Sequence, residues 1–228
     1  MPRIYKLSRT GLKILYKIRH HRGHGIHSPF VYNLVRKVIE EKTPYYSYQD
    51  LKDYIYNQPE IKGKIDKYNR LSFRLVNYFG AKRILEIGSG KGINTLYLTA
   101  PSKDIVCTSV ETNTEKQAVA QKLYSGWDRK IHLVEGKILP DMEKKQDCIF
   151  IDLDSYKDFG KDIVPYLSSM LHENTFIVVR GIRTNRRCRM LWKSISDMEA
   201  RTAMLDLFNI GIIFFNKKLY RWNYQISY

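Results

Sequence analysis

The chain has 228 residues, 43% of them hydrophobic, which is enough for one sizeable core and too few for two typical enzyme domains. No apolar run approaches the roughly 20 residues of a membrane span, and Lys6, Arg9, Lys13 and Lys17 interrupt the N-terminus where a secretory signal needs an unbroken apolar core. The formal charge of +16 suits anionic partners, and three cysteines without metal-ligand spacing are expected to be reduced thiols in a cytoplasmic protein.

At the N-terminus, Ile4, Leu7, Gly11, Ile14, Leu15 and Ile18 share one helical face and the basic residues the other, which predicts an amphipathic basic helix. Docking of its apolar face on the rest of the chain is the default; an anionic membrane surface or nucleic acid also fits such a face. Residues 1–42 hold ten Lys and Arg against Glu40 and Glu41. Next comes a histidine-rich stretch, with His24 and His27 placed to approach a site if the segment folds over it. No acid or cysteine accompanies these histidines, so a zinc site is not expected. Ser28-Pro29 reads as a helix start.

The first buried strand carries Ile84, Leu85 and Ile87, followed by Gly88-Ser89-Gly90-Lys91-Gly92 and a helix from 93 to about 100 that includes Asn94. Alternate glycines allow positive φ and close approach to a ligand, and the helix N-terminus offers unpaired N–H groups. A second apolar run over 105–110 ends at Glu111, where a nucleotide-binding βαβ unit places the acid that reaches the ribose hydroxyls. An adenosine-containing cofactor is therefore expected. A nicotinamide fingerprint would need glycine in place of Ile93. A phosphate-binding P-loop would need glycine at Leu85 and Ser or Thr at Gly92. What stands instead is E-x-G-x-G-x-G, beginning at Glu86.

Further along, a helix is expected over 114–124 and a strand over 130–134 leading to Gly136 and Lys137. A strand over 148–151 ends in Asp152, a helix covers about 157–171, and a strand over 175–179 ends in Arg180. This alternation predicts an α/β fold with a mostly parallel, doubly wound sheet. Its ligand site lies at the carboxyl strand ends, where Glu86, Glu111, Gly136, Asp152 and Arg180 converge. Arg180, Arg183, Arg186, Arg187, Arg189 and Lys193 form a basic cluster with no acid between Asn174 and Ser196. Two strands, 202–208 and 211–215, joined tightly at Asn209 must be antiparallel, and 220–228 is a candidate third.

The E-x-G-x-G-x-G turn with Glu111 resembles motif I of the class I S-adenosylmethionine-dependent methyltransferases, and a closing hairpin is shared with that family. The resemblance covers roughly 64–216, making 64–228 the expected methyltransferase domain and 1–63 an N-terminal helical extension of the kind that covers the substrate side. It implies S-adenosylmethionine as cofactor, held by Glu86, Gly88, Ser89, Gly90, Gly92, Asn94, Glu111, Gly136, Lys137 and Asp152. Within the family, Phe150-Ile151-Asp152-Leu153-Asp154 and the helix carrying Tyr166-Leu167 are similar to the catechol-type O-methyltransferase branch. Metal-dependent members pair the strand-four acid with an Asp-Asn pair after strand five. Arg180-Gly181 stands there instead, so no metal site is expected, because a hard cation needs oxygen ligands.

The resemblance thus implies methyl transfer to the oxygen of a small acceptor, with Asp152 as candidate base. Arg180 is the other candidate catalytic residue, bound either to Asp152 or to an anionic acceptor. Two alternatives remain at this stage. One is a nucleic-acid methyltransferase, suggested by the charge although the Pro-Pro-aromatic motif of amino-group methylases is missing after strand four. The other is a non-catalytic S-adenosylmethionine-binding protein.

Overall fold

The computed structural model describes residues 11, 27–59, 61, 65–135, 139–156 and 163–228. The helix expected over 4–18 lies outside the described residues, Gly11 apart, and so do His24, Gly136 and Lys137. Helix α1, Pro29–Leu34, starts where Ser28-Pro29 indicates: the Ser28 hydroxyl accepts from the Val31 N–H at 3.4 Å and proline occupies the first turn. It runs on through one π-helical turn, Val35–Ile39. Helix α2 spans Tyr46–Tyr56 and α3 spans Lys67–Phe79. Asp66 and Asn69 form a reciprocal capping box at the start of α3, and Gly80 ends it in the left-handed conformation at φ 61°.

From there strands and helices alternate: β1 Arg83–Ile87, α4 Ile93–Thr99, β2 Val106–Glu111, α5 Thr114–Ser125, β3 Lys130–Glu135 and β4 Cys148–Asp152. They continue with α6 Ile163–Ser169, β5 Phe176–Arg180, α7 Arg186–Ser196, β6 Ala203–Asp206, β7 Ile210–Phe214 and β8 Trp222–Gln225. Part of the helix expected over 157–171 is seen as α6; residues 157–162 lie outside the described residues. The sheet order is β3-β2-β1-β4-β5-β7-β6-β8. The first five strands are parallel, and β7 runs antiparallel to both β5 and β6, closing the sheet with the expected hairpin. The third C-terminal segment pairs with β6 in parallel, at the sheet edge.

The central strands are apolar throughout because both faces are covered. In β4, Cys148 and Phe150 join Leu34, Leu71 and Phe214 in a core that α1 and α3 cover. Ile149 and Ile151 pack on the opposite face with Leu167 of α6 and Ile195 of α7. A third cluster joins α2, α4 and α5 through Leu51, Ile55, Leu96, Tyr97, Leu123 and Tyr124. The helices before residue 64 thus bury their apolar faces in the same body as the sheet. All three cysteines are free and buried. No helix among the described residues is long and apolar enough to cross a membrane.

Candidate active site

Parallel register puts the ends of the central strands side by side: Ile87 lies opposite Ile151 and Val110, and Asp152 lies opposite Arg180. A cavity of about 270 Å³ opens over these ends. Glu86, Gly88, Ser89, Gly90 and Asn94 line one side of it, with Phe150, Asp152, Ser155 and Arg180 across from them and Lys91, Ile93 and Lys116 at the helix starts. Asp66 and Asn69, at the N-terminus of α3, complete it. The sequence therefore brings most of its candidate residues to one place.

Two of them sit behind the cavity wall. Gly92 does not line it. It forms the start of α4 at φ 85°, and a Cβ there would stand 2.6 Å from Cε1 of Tyr124. Glu111 is 1% exposed and its carboxylate is taken by backbone: Oε2 accepts from the Gly90 N–H at 2.7 Å, and Oε1 from those of Thr112 and Asn113 at 3.0 and 2.9 Å. It holds the glycine turn in shape from behind. At Gly90, φ is 62° and nothing stands within 4 Å of a built Cβ, so the turn faces open space at that point.

Glu86 is the most perturbed acid of the site. Burial, at 1% exposure, pushes its carboxyl up to about 7, while hydrogen bonds from Thr95 and Asn94 pull the other way. Asn94 Nδ2 donates to Oε1 at 2.8 Å and Thr95 Oγ1 to Oε2 at 2.5 Å. The network extends to Asn69, which donates to Asn94 Oδ1 at 3.3 Å. On the other side Tyr124 joins the Thr95 hydroxyl at 2.6 Å and the Ser109 hydroxyl at 3.0 Å. Asn94 is thus an orienting group for Glu86 as well as a lining residue. Ser89 stands apart from this network: its hydroxyl is buried and has no hydrogen-bond partner among the described residues. An unsatisfied buried hydroxyl beside a helix N-terminus and an open glycine turn fits a polar ligand at this point.

Across the cavity, Arg180 bridges two carboxylates. Nη2 donates to Asp66 Oδ2 at 2.9 Å, Nε lies 3.7 Å from Asp152 Oδ2, and the guanidinium stacks over the Tyr68 ring at 5.6 Å. Asp152 Oδ1 accepts from the Asp154 N–H at 3.0 Å. Burial raises the Asp152 carboxyl above its ordinary value, and Arg180 opposes that shift. The remaining arginines are elsewhere. Arg183 forks onto Asp206 at 2.7 and 2.5 Å and onto the Phe208 carbonyl, while Arg186, Arg187 and Arg189 are exposed on α7.

Sequence reasoning missed Asp66 and Asn69. Their capping-box spacing was present in the sequence, but which strand end the helix start meets is decided by packing. A metal fits poorly here. Asp152 and Asp66 share a guanidinium, Gly181 brings no side-chain oxygen, and no cluster of metal-binding side chains occurs among the described residues. His27 is exposed and does not line the cavity. A larger cavity, about 640 Å³, lies at the opposite strand ends around Arg83, Asp147 and His172. Asp147 is already satisfied there by the Lys82 and Arg83 N–H groups at 2.8 Å and by His172 at 3.0 Å.

The sheet order and its closing antiparallel hairpin are those of the class I S-adenosylmethionine-dependent methyltransferase fold expected from the sequence. The family model described as O-methyltransferase matches residues 49–171, more than half of the chain, and the chain belongs to that family. No curated protein matches the sequence. Among solved structures, a methyltransferase from Geobacter sulfurreducens aligns with a TM-score of 0.56 at 15% identity, over 78% of this chain and 93% of that one. An O-methyltransferase from Bacillus cereus in complex with S-adenosylhomocysteine aligns with a TM-score of 0.53 at 16% identity, over 81% and 97%. A Podospora anserina methyltransferase, also bound to S-adenosylhomocysteine, gives 0.53 at 16% over 77% and 89%. At such identities these structures speak for the fold.

Proposed function

We propose that the cavity over β1 and β4 binds S-adenosylmethionine and that the chain moves its methyl group to an oxygen of a small acceptor without help from a metal. The observation that carries this reading is the glycine turn of an O-methyltransferase family member, open at Gly90 and carrying the unpartnered Ser89 hydroxyl. The cofactor, when bound, supplies a methyl group on a good leaving group, so the protein's task is alignment and removal of one proton. Ser89 and the Gly88–Gly92 turn take the polar end of the cofactor, with Glu86 held by Asn94 and Thr95 beside it. Glu111 fixes the turn from behind through the Gly90 N–H; its assignment to the ribose, like that of Gly136 and Lys137 to the same side, is made on sequence grounds.

Asp152 is the proposed base: the acceptor hydroxyl gives its proton to this carboxylate as the new C–O bond forms. Its raised pKa makes the carboxylate a better proton acceptor than a solvated aspartate. Arg180 holds Asp152 and Asp66 apart at the acceptor side and keeps N–H groups beyond those contacts for an acceptor oxygen. An anionic acceptor remains part of the proposal, and the segment 1–63 is assigned to covering that side of the 64–228 domain.

The test is a methyl-transfer screen with labelled cofactor against a metabolite extract and total RNA side by side, with and without chelator. Transfer to a small molecule that persists in EDTA is expected. Arg180→Ala should weaken acceptor use roughly 10- to 100-fold, as for loss of a charge-assisted bond, while cofactor affinity stays within about twofold. Abolition by EDTA, or labelling of RNA alone, contradicts the reading.

A further inference from the structure

We propose that a groove of about 440 Å³ between the start of α2, one face of α3 and the C-terminal Tyr228 binds a small phosphorylated ligand that carries a flat ring. The groove is separate from the active-site cavity and shares none of its lining residues; the two lie on neighbouring faces of α3, Asp66 and Asn69 on one side and Lys67, Arg70 and Arg74 on the other.

Five cations, Lys42, Lys52, Lys67, Arg70 and Arg74, line the groove against the single acid Glu41. Glu41 is engaged locally, accepting from the Thr43 N–H at 2.6 Å, and the Thr43 hydroxyl and N–H together hold its carboxyl below the ordinary value. Among the described residues, Lys42, Lys52, Arg70 and Arg74 take part in no salt bridge. Like charges gathered in a concave surface repel one another and focus a positive potential, which an incoming anion relieves.

Arg74 is only 7% exposed, yet its hydrogen-bond partners are neutral: Nη1 donates to the Glu41 carbonyl at 3.0 Å and Nη2 to the Tyr228 hydroxyl at 3.1 Å. Its Nε is buried and has no hydrogen-bond partner among the described residues. A buried guanidinium with no carboxylate in ion-pair contact among the described residues is costly by itself. The Glu41 carboxylate acts on it only through space, and a dianion in the groove supplies further compensating charge.

The walls are aromatic and fixed. Arg70 lies over the Tyr48 ring at 5.5 Å and Lys67 Nζ over the Tyr228 ring at 4.0 Å, while Tyr45 and Tyr48 pack 5.3 Å apart against Phe73. Tyr48 donates to the Arg70 carbonyl at 3.4 Å and Tyr228 to that of Lys67 at 3.0 Å, so the rings are held before any ligand arrives. Cations set against flat rings take a phosphate at one end and a planar group at the other. The volume suits a ligand of mononucleotide size, and a polymer would need a longer basic track.

The experiment is calorimetric titration of the full chain with phenyl phosphate, with benzoate as the monoanionic control and a ten-nucleotide single-stranded RNA as competitor. Phenyl phosphate should bind one-to-one, at least tenfold tighter than benzoate. Its affinity should rise between pH 5 and pH 7.5 as the phosphate takes its second charge near pH 6. Arg74→Ala could unfold the helix contact, so the variants are the exposed Arg70→Glu and Lys52→Glu. Each should weaken phenyl phosphate at least tenfold and leave S-adenosylhomocysteine affinity within twofold. No binding by the wild-type chain, equal binding of benzoate, or unchanged affinity in both variants overturns the proposal. RNA that binds more tightly than phenyl phosphate and displaces it would also overturn it, since the surface would then belong to a polymer.

Discussion

Glu86 holds a carboxyl that burial raises from an ordinary 4.5 to about 7. Between those two values the folded chain keeps a proton at Glu86 that the unfolded chain releases, so this group's contribution to stability falls as pH rises through that window. The full effect is of the order of 3 kcal/mol, at 1.36 kcal/mol for each unit. Asp152 acts in the same direction, being raised as well. Glu86→Gln keeps an oxygen for Asn94 or Thr95 but cannot ionise. Urea unfolding at pH 5 and pH 8 should therefore show a larger loss of stability for the wild-type chain than for Glu86→Gln. An identical loss in both would mean that Glu86 titrates near its ordinary value. The sequence marked Glu86, through its place two residues before Gly88. It could not mark the raised pKa, which comes first from burial and then from the Asp152 carboxylate that the pairing of β1 with β4 brings near.

The turn between β1 and α4 does two separable things. Gly92 packs against a Tyr124 ring that is itself pinned by hydrogen bonds to Thr95 and Ser109, whereas Gly90 faces open space. Both glycines have positive φ, which should cost each alanine variant about 1 kcal/mol; Gly92→Ala should lose about 1–3 kcal/mol more through overpacking. Chemical denaturation of the two variants checks this; equal midpoints would show that Tyr124 moves aside. Strand ends were the legible part of this fold, because apolar runs such as 105–110 and 148–151 stop at a charged residue as the chain leaves the covered sheet. Helix starts were legible locally, as at Ser28-Pro29. The meeting of the Asp66 cap with Arg180, 114 residues further on, was not, since no periodicity or spacing encodes it. The partner of Arg183 was hidden for the same reason: Asp206, the last residue of β6, takes both of its terminal nitrogens.

At the scale of the whole molecule, the +16 charge does not gather at the active-site cavity. Asp66, Glu86 and Asp152 there stand against Lys91, Lys116 and Arg180, and Arg180 is neutralised on two sides. Part of the imbalance, five cations against one acid, lies in the groove beside Arg70 and Arg74. The parallel sheet instead makes the cavity by bringing β1, β4 and β5 to a common edge, with α3 laid across it. If this edge is the proposed S-adenosylmethionine site, shaped by the glycine turn and by Glu111 behind it, calorimetric titration of S-adenosylhomocysteine should show one-to-one binding to the wild-type chain, with no binding of NAD. Glu111→Ala should lose about 1.5–3 kcal/mol as the charged hydrogen bonds that hold the turn disappear. Absence of binding by the wild-type chain, or an affinity unchanged by Glu111→Ala, would contradict that assignment.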